Sequence, residues 1–491
     1  MALSSTPVLA QMNPETTHLA LGSEFHDVVQ PASFPQARLR FRNDAWATRV
    51  GLNDADDQQW VAHFARFEPL PGSLPEPIAL RYHGHQFRVY NPDLGDGRGF
   101  LFAQLRDLED GRLLDLGTKG SGTTPWSRGG DGRLTLKGGV REILATEMLE
   151  ALGVYTSKTF SLVETGEALT RGDEPSPTRS AVLVRLSHSH IRIGTFQRLA
   201  VHRQLDEMRA LVEHCATHFW PEARETDDLA AGLYACICDA TARMGAEWYA
   251  AGFVHGVLNT DNTNITGESF DYGPWRFQDR YDPLHTAAYF DHNGLYAFAR
   301  QPEALSWNLA RLGECLLAIA PQDAIEPVYQ DFPIRFQRHL ERQTFARLGL
   351  ISPGTETSNE LMHLFWTAMH ETTPPFQQVF HDLLGGGLPE RIEASEIRDT
   401  YQTSYWPRVK EGLRGLETAP GLGRALAHPS ASESPETMVI EEVEAIWDAI
   451  ARDDDWSLLQ KKIDRIRKFA GLGKELGLLR GPNARPHHAA L

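Results

Sequence analysis

The chain is short of cysteine, of positive charge and of long apolar runs, and each shortage removes a class of protein. Four cysteines in 491 residues, Cys215, Cys236, Cys238 and Cys315, cannot staple a disulfide scaffold. Cys236 and Cys238 make only a C-x-C inside an apolar helical stretch, and all four read as small buried hydrophobes. Basic residues number 48 against 65 acidic ones, a net charge of −17. Non-specific nucleic-acid binding and docking on anionic lipid both need basic patches that such a balance disfavours. No apolar run reaches the ~18 residues of a membrane span. The opening residues lack the basic stretch and apolar core of a secretory signal. The expectation is a cytoplasmic protein with neither nucleic acid nor membrane as partner. Hydrophobic residues at 41% and charged residues at 23% match ordinary globular usage, which excludes wholesale disorder.

Glycine is plentiful, and it is clustered. Residues 1–80 are Pro-rich and weakly periodic and read as an N-terminal extension. From about residue 81 the composition shifts to three glycine clusters, at 95–99, 117–122 and 129–132. Stretches 99–107 and 113–118 read as strands joined by a turn at Asp110-Gly111. Val140, Ile143, Leu144 and Met148 fall at helical spacing, with Gly153 beyond the end. Stretches 158–164 and 180–186 read as further strands, so 81–195 is β-rich with one helix set into it. Beyond that the pattern is helical through about residue 400. Asp227-Asp228 caps a long helix running through Tyr249, with Gly252 past its end. A short strand begins at Phe253, and helices resume from Pro302. The remainder, 401–491, reads as a helical extension reached through a Gly/Pro/Ser/Ala-rich link at 417–437. In it Ser434-Pro435 is expected to start a helix carrying Val439, Val443, Ile446 and Ile450. The basic run 461–468 reads as a solvated face.

The chemistry gathers on a few residues. Lys119 follows a predicted strand, and Glu142 comes 23 positions later on the helix of the β-rich segment. A strand lysine paired with a helix glutamate is how protein kinases aim an ammonium at nucleotide phosphates. His255 through Asn262 fits the kinase catalytic loop, where a metal-binding Asn lies seven positions after the His. Phe270-Asp271-Tyr272-Gly273 fits the Asp-Phe-Gly element with Tyr replacing Phe. An Asn amide oxygen and an Asp carboxylate are hard-oxygen ligands suited to Mg²⁺ on a nucleotide. One part is out of place. The kinase catalytic Asp should lie two residues after the His, and that residue is Val257, which can accept no proton. The nearest carboxylate is Asp261. These residues leave open a kinase without activity and a site whose chemistry has moved.

The chain resembles the selenoprotein O family, protein adenylyltransferases built on a kinase-like fold. The matching segments are His85-Gln86-Phe87, Leu94-Gly95-Asp96-Gly97-Arg98, Lys119-Gly120-Ser121-Gly122, Gly130-Asp131-Gly132-Arg133, Arg141-Glu142, Ser189-His190-Ile191-Arg192 and His255 through Gly273. They run over about residues 82–274 in the family's order. The resemblance implies an α+β, protein-kinase-like two-lobed fold, with a β-rich N-lobe, a mainly helical C-lobe and an extension at each end. It implies ATP bound in reverse relative to a kinase, so that AMP passes to a Ser, Thr or Tyr hydroxyl of a protein substrate and pyrophosphate leaves. Carried over by motif, Gly95, Gly97, Arg98, Lys119, Asp131, Gly132, Arg185 and Arg192 contact the nucleotide and Glu142 orients Lys119. Asp261 is the proton acceptor. Asn262 and Asp271 hold Mg²⁺, with Mn²⁺ as an alternative, and Asp271 thereby also touches the cofactor. The competing readings are an unusual kinase using Asp261 as base, a UMP transferase, and a nucleotide-binding pseudokinase scaffold.

The chain departs from the family in lacking an Asn-Pro-Lys element followed by Arg-Asn near its end, which closes instead on Gly481-Pro482-Asn483. It also lacks a redox cysteine there, the last being Cys315. The pairs His83/His85 and His188/His190 each have the H-x-H form, but neither has a third ligand at metal-binding spacing, so they read as loop histidines.

Overall fold

The computed structural model describes residues 11–172 and 174–479, so the Gly481 segment and the first ten residues lie outside it. The described residues form a mixed α/β protein whose strands are concentrated before residue 190. In chain order they are β1 (Pro14–Glu15), β2 (His26–Val28), β3 (Arg38–Arg42), β4 (Ile78–Leu80), β5 (Gly84–Gln86), β6 (Val89–Asn91), β7 (Leu101–Arg106), β8 (Leu113–Lys119), β9 (Leu134–Thr135), β10 (Lys158–Leu169) and β11 (Thr178–Ser187). The main sheet is antiparallel in the order β2-β4-β7-β8-β11-β10-β3, with β1 added to β7 and β9 to β11. The predicted extension over residues 1–80 therefore supplies four strands of this sheet. Its helices α1 (Asp44–Arg49) and α2 (Asp57–Phe64) bring Trp60 and Phe64 onto the same face as Phe102, Phe160 and Val184.

Successive strand residues point to opposite faces, and this decides where the chemistry lies. On β8, Leu114 and Leu116 pack with that first face, as do Val182, Val184 and Leu186 of β11. Leu113, Ala181 and Leu183 pack on the other face against α3 (Leu136–Ala151), through Leu136, Val140, Ile143 and Leu144. The alternation then assigns Asp115, Gly117, Lys119 and Arg185 to the α3 side. Register sets Arg185 opposite Gly117 and Leu183 opposite Lys119. Thr135 caps α3 by accepting from the Gly138 amide, and Gly153, at φ +81°, follows its end.

After α4 (Ile193–Val201) and α5 (Leu205–His218) runs α6 (Leu229–Ala251). Asp228 accepts from the Ala231 amide at its start, and Gly252 ends it in the left-handed conformation, φ +71°. Short antiparallel strands β12 (Phe253–Val254) and β13 (Arg276–Phe277) clamp the loop between them. That loop carries His255, Asp261, Asn262 and Asp271. Helix α7 (Gln301–Leu316) packs against α6, a second apolar cluster gathers around Phe365, Phe376 and Trp406, and the last two helices, Ile440–Asp453 and Ser457–Glu475, pack against α3.

The C-terminal expectations need three corrections. The helix expected from Ser434-Pro435 starts at Ile440, because Met438 is first tucked into the core. The link at 417–437 contains a helix of its own, Leu422–Ala427. The basic run on the last helix, Ser457–Glu475, is not uniformly solvated. Lys462 is buried between Glu436 and Glu442, and Arg467 forks onto Glu147 of α3 at 2.8 and 2.7 Å.

Candidate active site

Three loops bearing the glycine clusters are knitted together beside β8. The Gly120 amide donates to Arg98 O (2.6 Å) and the Gly122 amide to Gly132 O (3.2 Å). The Thr124 and Ser127 hydroxyls donate to Asp96 O and Gly97 O, both at 2.5 Å. Gly95 must be glycine for a packing reason: a Cβ there would meet the Trp126 ring at 2.4 Å. Arg98 is exposed at the edge of this roof. Asp131 is exposed too and is paired with Arg171 at 2.8 Å, apart from the buried charges described next.

Below the roof, Lys119 Nζ lies 2.8 Å from Glu142 Oε2 and 3.1 Å from Asp271 Oδ1. Arg185 Nη1 donates to the same Asp271 oxygen at 3.1 Å, and Asn262 Nδ2 donates to Asp271 Oδ2 at 2.9 Å. Three residues, the farthest of them 152 positions from Asp271 in the chain, thus converge on its carboxylate. Asp271 sits at φ +63°, in a left-handed conformation that Asp tolerates better than most residues. His255, buried beneath the loop, donates from Nε2 to Phe270 O at 2.9 Å and holds this bend. Tyr272, in the place of the expected Phe, donates to Ser269 Oγ at 2.7 Å.

The segment through Arg192 pairs with the loop directly: the Ile193 amide donates to Thr263 O (3.1 Å) and the Ile265 amide to Ile191 O (3.2 Å). Arg192 is thereby buried, with Nη1 donating to Asp261 O at 3.3 Å and Nη2 lying 3.5 Å from Asp96 Oδ1. Its guanidinium stands over the Tyr82 ring at 4.2 Å, and Phe270 underlies both Arg185 and Arg192 at 5.0 Å. Tyr82, Phe270 and Asp96 were not singled out as site residues from sequence. Each stands inside or beside a segment already matched to the family, Tyr82 three positions before His85, Asp96 between Gly95 and Gly97, and Phe270 just before Asp271, and that adjacency was the available signal.

Asp261 is 8% exposed, and its Oδ1 has no hydrogen-bond partner. Gly84 faces it, where a Cβ would lie 2.8 Å from that oxygen. The two carboxylates are driven apart. Burial pushes Asp261 up to about 7, although Arg192 opposes it. For Asp271 burial works in the same upward direction, but the fields of Lys119, Arg185, Arg192 and Arg98 outweigh it and hold the carboxyl well below its usual range. Val257 offers no competing carboxylate.

The family model for "Protein adenylyltransferase SelO" matches residues 8–467. Relatives called "Protein nucleotidyltransferase YdiU" include one from Gloeobacter violaceus, 42% identical over 94% of this chain and 96% of its own length. One from Synechococcus elongatus is 42% identical over 95% and 97%. One from Vibrio cholerae is 35% identical over 82% of each chain.

The chain belongs to the SelO family.

As a SelO protein it is a nucleotidyltransferase. In this SelO chain the structure brings Lys119, Glu142, Arg185, Asn262 and Asp271 into direct contact, and Arg192 and Asp261 adjoin them. Gly95, Gly97, Arg98, Asp131 and Gly132 lie in the knitted loops above. Three of the four H-x-H histidines are hydrogen-bonded elsewhere, His83 Nδ1 to Tyr90 Oη, His85 Nδ1 to Gln197 and His188 Nδ1 to Tyr155, whereas His190 Nε2 accepts from Arg185. Among the described residues no helix is long and apolar enough to cross a membrane.

Proposed function

We propose that this SelO protein moves AMP from ATP to Ser, Thr or Tyr hydroxyls of protein substrates, using Mg²⁺ or Mn²⁺. In this reading the fold is a protein-kinase-like pair of lobes, the sheet with its α3 helix above and the helices after about residue 195 below. The charge pattern suits the ligand. An acidic chain gathers Lys119, Arg185 and Arg192 beneath glycine-rich loops, where guanidinium forks and an ammonium fit phosphate oxygens. Arg98, exposed on the loop edge, and Asp131, once released from Arg171, would face the nucleotide from the roof.

A metal is also accommodated. Asp271 offers a carboxylate, and Asn262, whose amide Nδ2 lies 2.9 Å from Asp271 Oδ2, would offer its amide oxygen once that amide turns; two protein donors leave positions for phosphate oxygens and water. Asn262 and Asp271 would hold the ion, which when bound neutralises charge on the phosphates. No group of three or more His, Cys, Asp or Glu side chains arranged for a metal occurs among the described residues, so the nucleotide would complete the shell. Lys119, held by Glu142, orients the phosphates. Asp261 takes the proton from the acceptor hydroxyl. That oxygen bonds to the α-phosphorus as its bond to the bridging oxygen breaks, and pyrophosphate departs.

The observation that carries this reading is Asp261 itself: a buried carboxylate with an unpartnered oxygen and an affinity for protons near neutrality, in a loop whose kinase position is Val257. Such a group is suited to general-base work at physiological pH. Incubation with ATP labelled at the α- or the γ-phosphate tests it. Protein label from the α position alone is the expected result. Label from the γ position alone would mean a kinase, and label from neither a scaffold. UTP labelled at its α-phosphate, run in parallel, distinguishes UMP transfer.

A further inference from the structure

Behind Arg185 lies a polar chain that reaches across the sheet. Gln104 on β7 donates from Nε2 to Asp115 Oδ1 on β8 at 2.8 Å, and its own Oε1 accepts from the His18 amide at 2.8 Å. Asp115 Oδ2 accepts from the His190 amide at 2.9 Å and lies 3.4 Å from His190 Nδ1. His190 Nε2 accepts from Arg185 Nε at 3.1 Å, and Arg185 Nη1 reaches Asp271 at 3.1 Å. Gln104, Asp115, His190 and Arg185 are each less than 7% exposed.

This geometry dictates one tautomer. Arg185 can only donate, so His190 Nε2 must carry a lone pair, and the proton then belongs on Nδ1, toward Asp115. Burial lowers the imidazole's proton affinity, with Arg185 adding to the effect against Asp115, which favours the neutral ring this tautomer requires. A second observation is independent of hydrogen bonding. Gly117 stands opposite Arg185 in the β8–β11 register, and a Cβ at Gly117 would lie 2.3 Å from His190 Nε2. The strand is left bare at the one point where the ring must cross it to reach Arg185.

We propose that His190 is a positioning residue for nucleotide transfer: Asp115 and the bare backbone at Gly117 set its ring so that Nε2 fixes Arg185 Nε and leaves the far end of the guanidinium on Asp271. This rests on the reading of Asp271 as a metal ligand. A guanidinium held at one end presents the other at a defined angle, which orients the carboxylate. Without the acceptor, Arg185 keeps its charge but loses its aim.

Two substitutions separate aiming from support. His190→Gln keeps an acceptor near the ε position, whereas His190→Asn keeps an amide only near the δ position, facing Asp115. Mn²⁺ binding is followed by electron paramagnetic resonance in the presence of a non-hydrolysable ATP analogue, alongside kcat and the melting temperature. Expected for His190→Asn is a tenfold or greater loss of kcat and a five- to tenfold weaker Mn²⁺ affinity, with His190→Gln within about threefold of the parent in both. Gly117→Ala, which displaces the ring without altering it, should behave like His190→Asn. The proposal fails if both His190 variants match the parent in Mn²⁺ affinity and kcat. It fails equally if the Gln and Asn variants lose activity together in step with their melting temperatures, the signature of plain fold support. Asp271→Ala is the control: unchanged Mn²⁺ affinity there would overturn the metal assignment itself, whatever His190 does.

Discussion

At the scale of single residues, two aspartates ten positions apart do opposite work because their surroundings differ. Asp271 is encircled by cations and stays ionised, as the proposed metal ligand needs to be; Asp261 is desolvated with little compensation and can hold a proton near pH 7. Asp261→Asn keeps the shape and removes the basic oxygen. It should lower kcat by about 10²–10⁴-fold, the usual worth of a general base, while nucleotide affinity by calorimetry changes less than threefold. An Asp261→Asn enzyme with parental kcat would reduce Asp261 to a structural loop residue. The cysteines permit another residue-level expectation. All four are buried, and burial raises the Cys236, Cys238 and Cys315 thiols to about 12 and Cys215 further. Thiols so rarely ionised exchange slowly. AMP transfer with and without dithiothreitol should agree within about twofold, and strong activation by the reductant would reveal a regulatory disulfide.

At the scale of elements, the long helix α6 depends on its two ends. Its last turn closes on Gly252, where a side chain would be strained by φ +71° and would meet the Phe376 ring at 2.8 Å. Gly252→Ala should therefore destabilise the fold by at least ~1 kcal/mol, and Asp228→Ala at the other end by about 1 kcal/mol through the lost cap. Denaturant titration of both checks this, and unchanged midpoints would contradict it. These two ends were legible in the sequence because the signals are local: an Asp before an apolar run and a Gly after it. Strands β8 and β11 were legible for the same reason, since Leu113, Leu114 and Leu116 in the one and the run Ala181–Val184 in the other stand next to turn residues. Strands β1 to β4 were not. They are two to five residues long, and their partners are distant, as where Phe41 pairs with Leu162. The late start of the helix at Ile440 was hidden too, since Pro435 is a good first-turn residue and only tertiary contacts at Met438 and Thr437 prevent it. In the site, Asn262 and Asp271 could be found because motif spacing survives in the chain. The link from Asp115 to His190, 75 residues long, has no such local mark.

At the scale of the whole molecule, acid should act through buried histidines. Burial, foremost among the causes, lowers His18 and His83 to about 4 and His214 to about 3, against an ordinary value near 6.5. Between those values the unfolded chain binds more protons than the folded one. The stability of these neutral rings is complete above pH 6.5 and is lost as the pH falls toward 4. Asp261 and Glu268, both raised to about 7 by burial, work the other way between roughly pH 4 and 7. His26, His190, His218 and His255 are lowered as well, so the histidines outnumber the two carboxyls. The melting temperature measured by calorimetry should fall steadily from pH 7.5 to 5, and a flat or rising profile would count against this balance.

The strand order has a consequence for solubility. Both outer strands of the main sheet, β2 and β3, come from the first 42 residues. They cover β4 at one side and β10 at the other. An uncovered strand offers its free amides and carbonyls to any passing chain. Removing residues 1–42 would leave the Lys119–Asp271 cluster covalently intact, yet open two edges at once, one of them along the 12-residue β10. Such a truncated protein should self-associate edge to edge into oligomers visible by light scattering, and the 491-residue chain should scatter less. The N-terminal arm thus serves as a built-in guard against aggregation.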